Sequence, residues 1–248
     1  MEKRIIEMRN ITRSFGSVQA LKGVDFSVDA GEIVGLIGDN GAGKSTLIKI
    51  LTSFTSAESG EILMNGREVH FRSPKQARDA GIETVYQEQA LADDLSVARN
   101  LFMGKEPLKK MGPLRLLDLQ TMHSESKRML EELRLAVPVD AVVRYCSGGE
   151  RQGISIARAI YFNAQVVILD EPTNALGIAA VRRVLDLIVE LKGRGIAVIF
   201  VSHNLNHIIE IADRIVVLVR GKKIKDVPKD ETCIEELNDI LMQRSGIE

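Results

Sequence analysis

Three short apolar runs stand out along the chain: Ile33-Val34-Gly35-Leu36-Ile37-Gly38, Val166-Val167-Ile168-Leu169 and Ala197-Val198-Ile199-Phe200-Val201. Each is rich in β-branched residues and nearly uninterrupted, a pattern that suits parallel strands buried on both faces. After the first two runs the period changes. Ser45–Leu51 and Val181–Ile188 place apolar residues at helical spacing. Strand, helix and strand in that order predict an α/β fold with a mostly parallel central sheet.

Two regions break this rhythm. Roughly the first sixty residues hold extended runs with turn glycines, such as Glu61-Ile62-Leu63-Met64-Asn65-Gly66-Arg67, and predict an antiparallel β layer. About residues 88–160 are helical in character, broken between Gly104 and Pro107 and again at Gly112-Pro113. Within them Ser124–Leu135 is predicted as a helix, with Met129, Leu130 and Leu133 on one side. No repeat or low-complexity tract is visible. Residues 1–248 are therefore read as a single domain, with a helical subdomain at about 88–160 inserted into its core.

Charge and cysteine content narrow the function classes. Lys and Arg number 33 against 34 Asp and Glu, so there is no bulk attraction to nucleic acid or acidic lipid. Cys146 and Cys233 are too few for a disulfide scaffold and suit a reducing compartment. No apolar stretch approaches the roughly 20 residues that span a bilayer, and the basic start at Lys3-Arg4 has no long apolar region behind it. The expectation is a soluble cytosolic chain.

The strongest chemical signal is Gly38-Asp39-Asn40-Gly41-Ala42-Gly43-Lys44-Ser45-Thr46, placed between an apolar strand and a helix. Gly-x4-Gly-Lys-Ser in that context is a P-loop. Glycines let successive N–H groups curl inward around phosphate oxygens, and the following helix adds its positive end. Lys44 can then reach the β- and γ-phosphates, while the Ser45 hydroxyl can ligate Mg²⁺. A P-loop calls for an acidic residue at the end of a neighbouring buried strand. Val166–Leu169 runs into Asp170-Glu171. Asp170 would hold Mg²⁺, and Glu171 is the candidate to orient and activate the attacking water. Without the P-loop, two carboxylates before Pro172 would read equally well as a solvated strand end.

With these two motifs the chain resembles the ATPase subunit of an ABC transporter along nearly its whole length. Ser147-Gly148-Gly149-Glu150-Arg151-Gln152 is similar to the family's signature motif, and Gln87 after Thr84-Val85-Tyr86 to its Q-loop. His203 follows a buried strand, as the family's switch histidine does. Phe15, before Gly16-Ser17-Val18-Gln19-Ala20-Leu21, stands where the family places an aromatic that stacks on adenine. The resemblance implies ATP and Mg²⁺ as ligands. It places Phe15 on adenine, Gly38, Asn40, Gly41, Ala42, Gly43, Lys44, Ser45 and Thr46 on the phosphates, and Ser147, Gly148 and Gly149 on a partner's ATP. Ser45, Gln87 and Asp170 are the implied metal ligands, and Glu171, His203 and Gln87 the implied catalytic set. Each has a plainer reading beside it. Ser147-x-x-Glu150 is also a helix capping box, Gln87 a polar strand-end residue, and Phe15 alone a core aromatic. His70, His123 and His207 share no metal-ligand spacing and are expected on solvated faces.

Departures from the family pattern sharpen the reading. Cys146 stands for the usual Leu and Glu150 for the frequent Gln, both within the range of monosaccharide importers. Gly177, in Asn174-Ala175-Leu176-Gly177, replaces a usual Asp and puts in doubt any interface contact carried by that carboxylate. Residues 84–91 and 95–104 most resemble the ribose-like sugar importers, which commonly fuse two ATPase domains; this chain has one P-loop. The resemblance implies an energy-coupling ATPase of a sugar importer. Its partners would be a second ATPase subunit (a homodimer), membrane permease subunits and, indirectly, a solute-binding protein. It would sit on the cytoplasmic face of the membrane through the permease, with no nucleic acid partner. A soluble ATPase acting on nucleic acid or ribosomes would carry two copies or long inserts and a basic surface. A purely regulatory nucleotide-binding module fits poorly with an intact Glu171 and His203.

Overall fold

The computed structural model describes residues 4–85, 91–161 and 164–245. β1 (Arg4–Phe15) and β2 (Val18–Asp29) form a long antiparallel ladder, and β3 (Ile33–Ile37) leaves it for a second sheet. α1 (Lys44–Leu51) follows, and then β4 (Ser59–Met64) and β5 (Arg67–Glu68) return to pair beside β1. The predicted antiparallel layer is thus β2-β1-β4-β5. The chain continues through α2 (Pro74–Asp79), β6 (Ile82–Val85) and α3 (Val97–Leu101) to a hairpin of β7 (Leu108–Met111) and β8 (Leu114–Leu117). After it come α4 (Leu119–Glu132), α5 (Gly148–Tyr161), β9 (Val166–Asp170) and α6 (Ile178–Gly193). β10 (Ala197–Val201), α7 (Leu205–Ile211), β11 (Arg214–Val219), β12 (Lys222–Pro228) and α8 (Ile234–Ser245) complete it. Among the described residues the second sheet has the order β12-β11-β3-β10-β9-β6, parallel except for the β11–β12 pair.

Alternation along β3 divides the interior in two. Ile33 and Ile37 face a core shared with the helical region, including Leu101, Met129 and Ile154. Val34 and Leu36 face a core shared with the antiparallel sheet, including Ile6, Leu21 and Phe26. A strand buried on both sides has no polar position to spare, hence the uninterrupted apolar run.

The segment between α2 and α5 differs from its sequence reading in one respect. Gly112-Pro113, read as a break between helices, is the turn of the β7–β8 hairpin, with Gly112 at φ +63°. Its leucines at 108, 114, 116 and 117 are exposed, so neither hairpin face carries the apolar alternation that marks a strand. The predicted helix at Ser124–Leu135 is α4. It begins earlier because the Asp118 carboxylate caps it, accepting the Thr121 N–H at 3.1 Å. Met129, Leu130 and Leu133 are buried, as their spacing predicts.

Arg214 fastens the amino edge of the sheets. Its guanidinium donates to Glu32 and Asp226, each at 2.6 Å, and to the Ser27 carbonyl at 2.6 Å. Burial alone would lift the Asp226 pKa, but Lys223 and Arg214 overcome it and hold the carboxyl below its ordinary value. No helix among the described residues is long and apolar enough to cross a membrane.

Asn100, fully buried on α3, organises the loop ahead of it. Its Oδ1 accepts the Ala92 N–H at 2.7 Å, and its Nδ2 lies within hydrogen-bond reach of the carbonyls of Ala92, Leu95 and Ser96. The loop in turn pairs with the approach to α5, through Val143 N–H to Leu95 and Arg144 N–H to Asp93. Asn100→Ala leaves several of these groups unpaired in a buried site and is expected to cost about 3 kcal/mol in chemical denaturation. A change of less than about 0.5 kcal/mol would show that the amide does not hold this loop.

Candidate active site

Register along β10 brings three loops together. Val201 pairs with Leu36 of β3 on one side and with Asp170 of β9 on the other. The carboxyl ends of three parallel strands therefore lie side by side, the place where open α/β sheets bind ligands. From them emerge residues 38–43, the Glu171–Gly177 loop and the Ser202–Asn204 turn. The Glu171 N–H donates to the Val201 carbonyl at 2.9 Å and joins the second loop to the base of the third.

In the first loop, Gly38 and Gly43 take φ +153° and +107°. A Cβ on Gly38 would lie 2.3 Å from the Leu218 carbonyl, and one on Gly43 2.8 Å from that of Ala20, so close backbone approach excludes larger residues. Further stitches run from Gly221 N–H to the Ala42 carbonyl and from Lys22 N–H to the Gly221 carbonyl. Asn40, Gly41 and Ser45 are exposed at the surface of the loop, while Ala42 is buried and Thr46 half-buried. Gly43 caps α1, whose first turn carries no acidic residue to offset its positive end. The Lys44 ammonium donates to the carbonyls of Gly38 and Asp39, the latter at 3.2 Å. Burial lowers its pKa, against the pull of Glu171, Asp170 and Asp39.

The acidic pair meets the same loop. Burial pushes the Asp170 carboxyl up and Glu171 adds to the rise, with Lys44 and Lys49 opposing. Glu171 sits at φ +52°, an uncommon conformation for a residue with a side chain, and its carboxyl group is mostly buried. Oε1 lies 2.9 Å from Nδ1 of His203, whose ring is 66% exposed. Oε2 is buried without a hydrogen-bond partner. A buried carboxylate oxygen left unsatisfied beside a lysine, a second carboxylate and an exposed serine fits a site completed by a polar ligand. Ser45 and Asp170 are hard oxygen donors of the kind Mg²⁺ takes.

The remaining predicted residues divide. Phe15, at the end of β1, is 50% exposed and is no core residue; the Arg13 guanidinium carbon lies 5.0 Å from its ring centre. Ser147 and Glu150 form the capping box of α5. The Ser147 N–H and hydroxyl donate to Glu150 Oε2 at 2.7 and 2.8 Å, and the Glu150 N–H approaches the Ser147 hydroxyl at 3.4 Å. Gly148 and Gly149 pack on Leu176 and Ala180, where a Cβ would come within 3.0 and 2.8 Å. Those neighbours belong to the loop after Glu171 and to α6, not to residues 38–46. Gly177 caps α6 without a side-chain hydrogen bond, and the next residue, Ile178, is 92% exposed. Gln87 lies outside the described residues, just beyond the end of β6 at Val85.

Among the other histidines, His70 is exposed beside Glu68 and His123 half-exposed beside Asp140, each at 3.1 Å. His207 corrects the sequence reading. It is half-buried, with Nδ1 3.1 Å from the Thr173 hydroxyl and Nε2 3.4 Å from Asn204 Nδ2. The signal available in the sequence was its position one helical turn after His203-Asn204. No group of three or more His, Cys, Asp or Glu residues suited to a metal occurs among the described residues.

Known proteins resemble this chain along most of its length. A family profile described as ABC transporter matches residues 21–174. A xylose/arabinose import ATP-binding protein of Sulfolobus acidocaldarius is 42% identical over 238 residues, covering 96% of this chain and 93% of its own. A fructose import ATP-binding protein of Rhizobium meliloti is 43% identical, with 93% and 91% covered. A ribose import ATP-binding protein of Bacillus subtilis is 38% identical over 94% of this chain, which spans 46% of that longer protein. Among solved structures, the ADP conformation of an ATP-binding cassette of an ABC transporter superposes with a TM-score of 0.84 at 25% identity, covering 99% of both chains. On these matches, this chain belongs to the ABC transporter family.

Proposed function

We propose that this chain is the ATP-hydrolysing subunit of a membrane importer for a monosaccharide, working as one of a pair of such subunits. The observation that carries the reading is the Glu171–His203 contact at 2.9 Å, with the unpartnered Glu171 oxygen, on the sheet edge that also holds Lys44 and Asp170. Residues 38–46 cradle the triphosphate with backbone N–H groups and the end of α1, and Lys44 leaves its carbonyl partners for phosphate oxygens. Ser45 and Asp170, with Gln87, would hold Mg²⁺, which neutralises charge on the phosphoryl oxygens when bound. Glu171 accepts a proton from the attacking water through its carboxylate. His203 fixes that carboxylate through Nδ1, and its exposed ring contacts the γ-phosphate.

Phe15 offers an exposed ring to adenine. A Cβ on Gly148 or Gly149 would meet Leu176 or Ala180, and we read Ser147, Gly148 and Gly149 as closing on the ATP of a partner subunit. We read residues 88–160 as the subdomain that moves with this closure. A cleft of about 330 Å³ lies where it meets the sheet, lined by Thr84, Val85, Met103, Gly104 and Arg158. Thr84 and Val85 at the end of β6 form one wall of it, and we read it as the seat of a permease segment at the cytoplasmic face of the membrane. Monosaccharide transport rests on the relatives named for xylose/arabinose, fructose and ribose import.

Steady-state ATPase assays and nucleotide titration test the core of the reading. Glu171→Gln should lower kcat by about 10²–10⁴-fold with ATP affinity little changed. Lys44→Ala should instead weaken ATP binding. Wild-type turnover in E171Q would remove Glu171 from the mechanism.

Base stacking is tested separately. Phe15→Ala should raise the ATP dissociation constant several-fold, a loss of about 1 kcal/mol, while Phe15→Tyr stays near wild type. Unchanged affinity in F15A would leave the ring without a role in base binding.

Pairing is read by light scattering or by the permease complex. ATP should shift E171Q toward dimer, and adding Ser147→Arg should reverse the shift by placing a bulky cation where a hydroxyl must meet phosphate. Permease-coupled hydrolysis unaffected by S147R would exclude a composite site.

A further inference from the structure

We propose that His207 is a positioning residue for hydrolysis, tying the loop that carries Glu171 to the turn that carries His203. The inference rests on the catalytic reading above and deepens it. Thr173, two residues after Glu171, is 6% exposed, and its hydroxyl lies 3.1 Å from His207 Nδ1. On the opposite side of the same ring, Nε2 lies 3.4 Å from Nδ2 of Asn204, the residue after His203. The ring therefore spans the two loops.

The capping geometry of α7 decides where the imidazole proton sits. Asn204 is the N-cap: its Oδ1 accepts the N–H groups of Asn206 and His207 at 3.1 and 3.4 Å. That places the amide oxygen on the helix side and the amide NH₂ toward the ring. An NH₂ group only donates, so Nε2 must accept. The neutral ring then carries its proton on Nδ1 and donates it to the Thr173 hydroxyl. One arrangement of protons satisfies both contacts, and it is selected by the helix cap.

This tie complements one in the backbone. Glu171 N–H donates to the Val201 carbonyl at the base of the two loops. The His207 bridge joins them again further out, at Thr173 and Asn204. The fully buried Ser202 hydroxyl accepts the Asn204 N–H at 3.0 Å and holds that turn to β10. The outer tie restricts how far the two loops can pivot about the backbone bond at their base. The Glu171–His203 contact belongs to residues held between the two ties. The hydrogen-bond partners of the His207 ring are Thr173 and Asn204, and its effect is on the alignment of Glu171 and His203.

The test uses the full chain and steady-state ATP hydrolysis. His207→Ala should lower kcat roughly 10- to 100-fold, the scale of an ångström's misplacement, with KM for ATP within about twofold because residues 38–46 are untouched. His207→Asn, which restores an amide donor near Nδ1, should recover part of the loss. Thr173→Val, which keeps shape but removes the hydroxyl, should reproduce the H207A defect and serves if H207A folds poorly. In a His203→Ala background, adding H207A should cost no more than about a further twofold, since the group to be aligned is gone. An unchanged kcat in H207A and T173V would overturn the inference, as would an equal loss in both backgrounds or a KM that rises as kcat falls. An inactive E171Q beside an unaffected H207A would overturn this inference alone. Full turnover in E171Q would overturn the catalytic reading and the inference together.

Discussion

Everything in the site depends on the register of one strand. β10 lies between β3 and β9, and pairing Val201 with both Leu36 and Asp170 brings three chain segments to one edge. Because side chains alternate along a strand, a slip of one residue would turn the core face of β10 toward the wrong layer. Val198 and Phe200 belong to the core shared with the helices, and Ala197, Ile199 and Val201 to the core shared with the antiparallel sheet. Burial on both faces thus specifies the register, and the register specifies the relation of Lys44, Asp170, Glu171 and His203. The chemistry is carried on loops, but its geometry is set by packing.

The two edges of the parallel sheet have opposite electrostatic characters. At the amino edge, Arg214 is matched by Glu32, Asp226 and a backbone carbonyl, and Lys192 by Asp213. Charges there are closed off against one another and fasten β2, β11 and β12. At the carboxyl edge the charges are incompletely matched: burial disfavours ionisation of both Asp170 and Lys44, and one Glu171 oxygen has no partner. Ion pairs predominate at the first edge, where one Asp29 oxygen is also buried without a hydrogen-bond partner, and incompletely matched site groups mark the second. Strain also lies at the second end, with Glu171 and Ala175 both at positive φ.

Most of this was legible in the sequence, for identifiable reasons. Strands buried on both faces announce themselves as apolar runs, and Gly38–Thr46 combines glycine geometry with a strand and a helix on either side. The β7–β8 hairpin was not legible, because Leu108-Lys109-Lys110-Met111 and Leu114-Arg115-Leu116-Leu117 show neither period when both faces meet solvent. His207 was misread for a different reason. Its partner Thr173 is 34 positions away and reaches it only through the α6 crossover between β9 and β10. Local pattern carries elements well; it carries contacts between loops poorly. The adenine contact proposed for Phe15 came from resemblance alone, since an aromatic before a glycine turn has no pattern of its own.

The strand order has a consequence for how the chain is made. β3 has two neighbours, β10 and β11, and both are encoded far downstream of it. A ribosome must translate from Ile37 to Ala197 before β3 can pair within its own sheet, roughly 8–30 seconds at bacterial-to-eukaryotic speeds of about 5–20 residues per second. Throughout that interval an apolar strand and the glycine-rich loop behind it are present without their sheet. The antiparallel layer of β1, β2 and β4 is complete by Met64 and shares a core with Val34 and Leu36. It is the surface already available on the nascent chain to shelter β3 until the rest arrives.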